Sequence, residues 1–190
     1  MAILKIARMG HPVLAGIAAP VADPTDPELK SLVADMIETM KDSDGAGLAA
    51  PQVHVPLRVV VFQAPDERSD ETLSAAEIFD HTAPLTVLIN PVIQVIEESF
   101  EGGWEGCLSV PGLRGWVERP RHIRYAGFDT TGNRVSCTAR GFHARVVQHE
   151  CDHLDGILYP RRMRDLSKLL FESEVHHWLE QQETQNGTAK

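Results

Sequence analysis

Apolar residues follow different rhythms in different parts of the chain. Leu29, Leu32, Val33, Met36, Ile37 and Met40 recur at steps of three and four, which predicts a helix over about 27–42 with one buried face. Asp26 can cap it, Pro27 suits its first position, and Glu28 complements its dipole. The run Asp42-Ser43-Asp44-Gly45-Ala46-Gly47 ends it. Leu57 to Phe62 is apolar and β-branched, the pattern of a buried strand. Leu85–Ile89 and Val92–Ile96 are strand-like, and Asn90-Pro91 predicts a break or bulge between them. Ile123 and Tyr125, then Val135, Cys137 and Ala139, alternate with more polar positions. With Thr130-Thr131-Gly132-Asn133 between them, they predict a hairpin pairing 122–128 with 134–140. Phe142 to Leu154 reads as a helix stopped at Gly156. Asp165 is expected to cap a last helix carrying Leu166, Leu169, Leu170, Val175 and Leu179.

Two stretches lack such patterning. Residues 63–84 are polar and acidic and read as a surface insertion, with a helical turn near Ala75–Phe79. Residues 184–190 read as a frayed tail. No repeat or long linker divides the chain, so 1–190 is expected to form one domain.

Composition narrows the classes of function. The 190 residues are 43% hydrophobic and 24% charged, which suits a globular protein with a core of its own. A net charge of −9 makes phosphate backbones, and specific DNA in particular, poor candidates for the main ligand. No apolar run approaches a membrane span of about 20 residues. The first residues lack the apolar core of a secretory signal or the Arg-rich pattern of a presequence, so a bacterial cytoplasmic location is expected. Three cysteines, Cys107, Cys137 and Cys151, cannot all pair, and sparse cysteine fits a reducing compartment.

His149-Glu150-Cys151-Asp152-His153 is the sharpest chemical signal. Residues four apart share a helix face, so both imidazoles can reach one metal. Glu150 is turned about 100° from His149 and can flank the metal without binding it, where a base for water belongs. Nine histidines are too few to make this pattern by chance, since composition gives roughly 0.03 matches. Two histidines are an incomplete set for a catalytic metal, which usually has three protein ligands. No suitable His follows His153. Cys151 shares the helix but points about 200° away and reads as core. Cys137 reads as a strand residue facing inward. Cys107, in Glu105-Gly106-Cys107-Leu108-Ser109 after Gly102-Gly103, could be a ligand or an ordinary buried thiol.

A third segment, Gly45-Ala46-Gly47-Leu48-Ala49-Ala50-Pro51-Gln52, lacks the Gly-Lys-Ser/Thr of a phosphate loop. In order along the chain, this segment, Glu105–Ser109 and Gln148–Leu154 resemble the three signature motifs of the peptide deformylases. The resemblance runs from about Ile6 to Tyr159. It implies an α+β fold, with antiparallel strands around a central helix carrying His-Glu-x-x-His, to which the spacing after Asp165 adds a C-terminal helix. It implies a metallohydrolase that removes the formyl group from the N-terminal formyl-methionine of newly made polypeptides. The implied ligands are Cys107, His149 and His153. The implied metal is one divalent ion, Fe(II) in the cell, replaceable by Zn, Ni or Co. Glu150 activates the metal's water, and the Gln52 side chain and Leu108 backbone N–H bind the oxyanion.

Helical spacing adds Val146 and Phe142, three and seven before His149, as an apolar floor for methionine. By the same resemblance Gly47 is expected to contact the peptide backbone. Asp152 is expected in a buried ion pair with Arg119 first and Arg114 second, and Glu105 as an acceptor for a ligand imidazole. The other histidines, His143 among them, are expected at the surface. Arg161, Arg162, Arg164 and Lys168 form a basic cluster that could touch the ribosome. The competing readings are a His-Glu-x-x-His endopeptidase, which would need a downstream third ligand, and an inactive binding module, which would be expected to lose Glu150 or Gln52.

Overall fold

The computed structural model of the chain describes residues 2–64 and 82–187. Helix α1, Pro27–Asp42, begins at Asp26, whose side chain accepts from the Glu28 N–H. Strand β1, Gly47–Ala49, pairs antiparallel with β2, Val59–Ala64. β3, Ala83–Cys107, pairs with β2 on one side and with β4, Val110–Phe128, on the other. β5, Arg134–Arg140, closes a hairpin on β4, from Phe128 opposite Arg134 to His122 opposite Arg140. Helix α2, Gly141–Leu154, follows directly.

β2 explains why the helices sit where they do. Val59 through Phe62 are fully buried, so both faces of the strand are covered. Val59 and Val61 pack with Leu29, Val33, Met36 and Met40 of α1. Val60 and Phe62 pack with Ala144, Val147, Cys151 and Leu154 of α2. Every residue of α2 from His143 to Leu154 is buried, so this helix runs through the interior. Polar side chains there must find partners or functions.

β3 is one continuous strand with irregularities. Its register shifts between Ile89 and Val92, and Asn90 takes φ +51, so Asn90-Pro91 makes a bulge, not a break. Its far end turns sharply. Cys107 pairs with Val110, leaving Leu108-Ser109 as the tip. That tip carries Cys107 toward α2.

The C-terminal reading needs correction. Asp165 caps only a short 3-10 turn, Leu166–Lys168, by accepting from the Ser167 N–H. Leu169–Phe171 then forms β6, paired with Leu113–Gly115 of β4. The last helix, α3, is Val175–Gly187. The leucines at helical steps belong to two elements because β4 offers an open edge to Leu169 and Leu170. Within 184–190, residues 184–187 continue α3 and the rest lie outside the described residues. The proposed insertion 63–84 falls mostly outside them too, although Gln63, Ala64 and Ala83 are strand residues. No described helix is long and apolar enough to cross a membrane.

Candidate metal centre and active-site cleft

Three elements converge on one point. The β3–β4 tip brings Cys107, and α2 brings His149 and His153 one turn apart. Their ligand atoms all lie within 4.8 Å of one another, and Cys107 Sγ is 3.4 Å from His153 Nε2. Among the described residues this is the group that could hold a metal ion. The donor set suits a divalent transition metal, one thiolate with two imidazoles.

The environment of each imidazole is different. His149 Nδ1 lies 2.8 Å from Glu105 Oε2 and donates to it, which leaves Nε2 as the nitrogen that can meet a metal. His153 is 1% exposed, and its Nδ1 has no partner among the described residues. Burial drives the His153 pKa well below the ordinary value, so its imidazole is neutral and able to ligate.

Glu105 is the centre of a buried charge network. Arg119 Nε and Nη2 donate to it at 2.7 and 2.9 Å, and Arg145 Nη1 at 2.8 Å. Burial raises the Glu105 pKa, but the hydrogen bonds from Arg119 and His149 outweigh it and hold this carboxyl well below the usual carboxylate range. Arg119 Nη1 also donates to Asp152 Oδ2 at 2.8 Å. Asp152 accepts in addition from Arg162, at 2.6 Å from Nη2 to Oδ1. Arg114 has no part in this network. It pairs with Glu172.

Glu150 stands beside the metal group. It is 4% exposed, and its Oε2 has no hydrogen-bond partner among the described residues. Burial pushes its pKa up to about 7. Gly47 in β1 makes room for it, since a Cβ at that position would run into the Glu150 carboxyl. Gln52 follows β1 in a 3-10 turn, Ala50–Val53. Its Oε1 accepts from the Ala49 N–H at 2.8 Å, which turns Nε2 toward Ser109 Oγ at 3.2 Å and Cys107 Sγ at 3.5 Å.

These groups face an open cleft of about 650 Å³. Gly47, Gln52, Leu108, Phe142, Val146 and Glu150 all line it, so the residues expected for catalysis and for the methionine pocket meet on one surface.

Three contributors were missed in the sequence. Arg145 lines the same cleft four residues before His149, a spacing that could have found it. Ser109, inside a recognised motif, accepts from Gln52. Arg162 reaches Asp152 across a turn, with no periodic signal to announce it. His143 is corrected from surface to core. It is 1% exposed and lies 3.1 Å from the Tyr125 hydroxyl. Cys137 is half-buried and Cys151 is buried, away from the metal group.

The model of one family, "Polypeptide deformylase", matches residues 3–169. "Peptide deformylase 1" of Bordetella pertussis is 55% identical over 166 residues, covering 87% of this chain and 90% of that one. "Peptide deformylase 2" of Ralstonia nicotianae is 48% identical over 181 residues, covering 92% and 98%. Among solved structures, peptide deformylase from Thermotoga maritima superposes with a TM-score of 0.74 at 35% identity, covering 87% of this chain and 100% of that one. Peptide deformylase from Ehrlichia chaffeensis in complex with actinonin gives 0.77 at 34% identity, covering 88% and 92%.

Proposed function

The chain belongs to the polypeptide deformylase family, and on that premise we propose how its own residues carry the reaction. It is a metal-dependent hydrolase that removes the formyl group from the N-terminal formyl-methionine of newly made polypeptides. Cys107 Sγ and one nitrogen each from His149 and His153 would hold a single metal ion. When bound, the ion supplies Lewis acidity, which acidifies water and polarises the formyl oxygen.

The protein supplies the rest. Glu150 is the base, and its Oε2 takes a proton from the attacking water. The same carboxyl returns the proton to the methionine nitrogen as the C–N bond breaks. Gln52 Nε2 and the Leu108 backbone N–H donate to the oxygen that gains charge when water adds. Gly47 lies on a short strand along which the peptide backbone can pair. Phe142 and Val146 receive the methionine side chain. Glu105 fixes the tautomer of His149, and Arg119, itself held by Asp152, fixes Glu105.

One observation carries this reading: a buried Glu150 carboxylate oxygen without a hydrogen-bond partner among the described residues, beside a Cys-His-His donor set. Glu150→Gln should keep its metal and lose turnover of formyl-Met-Ala-Ala by about 10²–10⁴-fold. A variant with wild-type kcat would remove Glu150 from the role.

The cellular metal we propose is Fe(II), with Zn, Ni or Co able to replace it in purified protein, because thiolate and imidazole together accept all of these. Metal analysis of anaerobically purified protein decides this, and stoichiometric zinc alone would overturn it. The relatives named above are bacterial, and we place this chain in the bacterial cytoplasm.

A transient ribosome contact through Arg161, Arg162, Arg164 and Lys168 is also proposed. Arg164 is 74% exposed, although it pairs with Glu118. Arg162 is engaged by Asp152, so reversing it would disturb the site. The test therefore reverses Arg161, Arg164 and Lys168 to Glu. Co-sedimentation with ribosomes at low salt should weaken, and wild-type binding should fall as salt rises. Equal co-sedimentation of the two proteins would leave these residues as ordinary surface.

A further inference from the structure

The rim of the cleft carries an exposed ion pair, and its acidic partner comes from outside the matched family region. Arg114 and Glu172 both line the cleft. Arg114 Nε donates to Glu172 Oε1 at 2.9 Å, and Nη2 donates to the same oxygen. The Arg114 guanidinium lies over Gly106, where a Cβ would fall 2.9 Å from Nη1. Gly106 adjoins Cys107, so the pair stands next to the metal group. The family match ends at residue 169, and Glu172 lies beyond it.

Glu172 is not a loose surface charge. β6 pairs Leu170 opposite Arg114 and Phe171 opposite Leu113, which brings the next residue back over the cleft. Behind it, Trp178 of α3 packs edge-on against Trp104 with ring centroids 5.3 Å apart. Trp104 itself lines the cleft. The segment 169–178 is thus a strap tied at both ends, with one carboxylate over the rim.

A formylated peptide puts its first residue at the metal group, and the rest of its chain must leave along this rim. On the proposed activity, we propose that Glu172 is a specificity-determining residue for the part of the peptide beyond methionine. It occupies Arg114 with an internal carboxylate, so a peptide carrying Asp or Glu there must displace it. Neutral peptides meet no such competition, and basic ones meet a carboxylate they can share. The cleft therefore disfavours acidic residues at the position that passes Arg114.

The experiment uses the full metal-loaded chain and four sets of formyl-Met peptides. One set is all-alanine after methionine. The others place Glu, Gln or Lys at the second, third or fourth position in turn. The measured quantity is the ratio of kcat/KM for Glu over Gln at each position. In the wild type it should lie below one at one position at least. In Glu172→Gln it should rise there by up to about fivefold, the upper end of the range for one exposed ion pair. The Lys over Gln ratio should fall at the same position. The double variant Arg114→Gln, Glu172→Gln should lose the gain, since the freed cation is then absent. Unchanged ratios at every position would overturn the assignment, as would a gain that survives in the double variant. No turnover of the all-alanine peptide by the wild type would instead overturn the proposed activity, and this inference with it.

Discussion

The three cysteines share a side chain and differ in everything around it. Cys107 sits at a strand tip with its sulfur among two imidazoles. Cys151 is packed against β2 and the rest of the core, and burial pushes its thiol far above the ordinary range. Cys137 is half-buried and donates to the Thr138 carbonyl of its own strand. Cys107→Ser should therefore lose metal on dialysis, while Cys137→Ser and Cys151→Ser should keep full stoichiometry. Metal analysis checks this, and loss confined to the Cys151 variant would mean the wrong thiol was chosen. At this scale the sequence was legible where spacing alone sets geometry. His149 and His153 are four apart on a helix, and that is enough to bring them together. Cys107 was different, because the spacing left it open between ligand and buried thiol, and only the resemblance chose it. Arg162 was illegible, since its contact with Asp152 depends on how the chain turns after Gly156.

At the scale of elements, the β4–β5 hairpin hangs on one carboxylate. Asp129 Oδ1 accepts from the Thr131 hydroxyl and from the Thr131 and Asn133 backbone N–H groups, at 2.6 to 2.9 Å. The Thr131 hydroxyl does most to hold its pKa below the ordinary 3.8; burial opposes it, and the backbone N–H groups of Thr131 and Asn133 add to the lowering. A carboxyl lowered in the folded state contributes stability that is complete above its unfolded pKa and is lost as pH falls through the folded one. Asp129→Ala should thus be less stable than wild type at pH 7. The difference should narrow only below about pH 4. Urea midpoints measured across that range test it, and a gap that persists undiminished at the lowest pH would mean the carboxylate's charge is not the cause. This hairpin was legible because alternation and a turn sequence coincide in 122–140. The C-terminal helix is there, but its start was misjudged for the opposite reason. Leu166, Leu169 and Leu170 fit helical steps, but Leu169 and Leu170 are taken by the free edge of β4. Edge pairing is a tertiary fact, and periodicity carries no trace of it.

At the scale of the whole molecule, two cores share β2. One lies under α1, the other around α2, and the cleft opens where the β3–β4 tip meets α2. Residues 65–82 join β2 to β3 and supply no group to that arrangement in the proposed mechanism. Ala64 and Ala83 are register partners across the two strands. A two-residue Asn-Gly connection is the natural link for antiparallel strands at that separation, because a type I′ turn matches their twist. Loop closure costs grow slowly with length, so shortening this connection should change stability by only about 1–2 kcal/mol. Replacing 65–82 with Asn-Gly should then leave the thermal midpoint within about 4–8 °C of wild type. Turnover of formyl-Met-Ala-Ala should persist, since Gln52, Cys107 and Glu150 are positioned by β1, the β3–β4 tip and α2. Circular dichroism and the peptide assay read the two effects separately. A folded variant without turnover would give the segment a part in the site. An unfolded variant would make it part of the core that β2 organises.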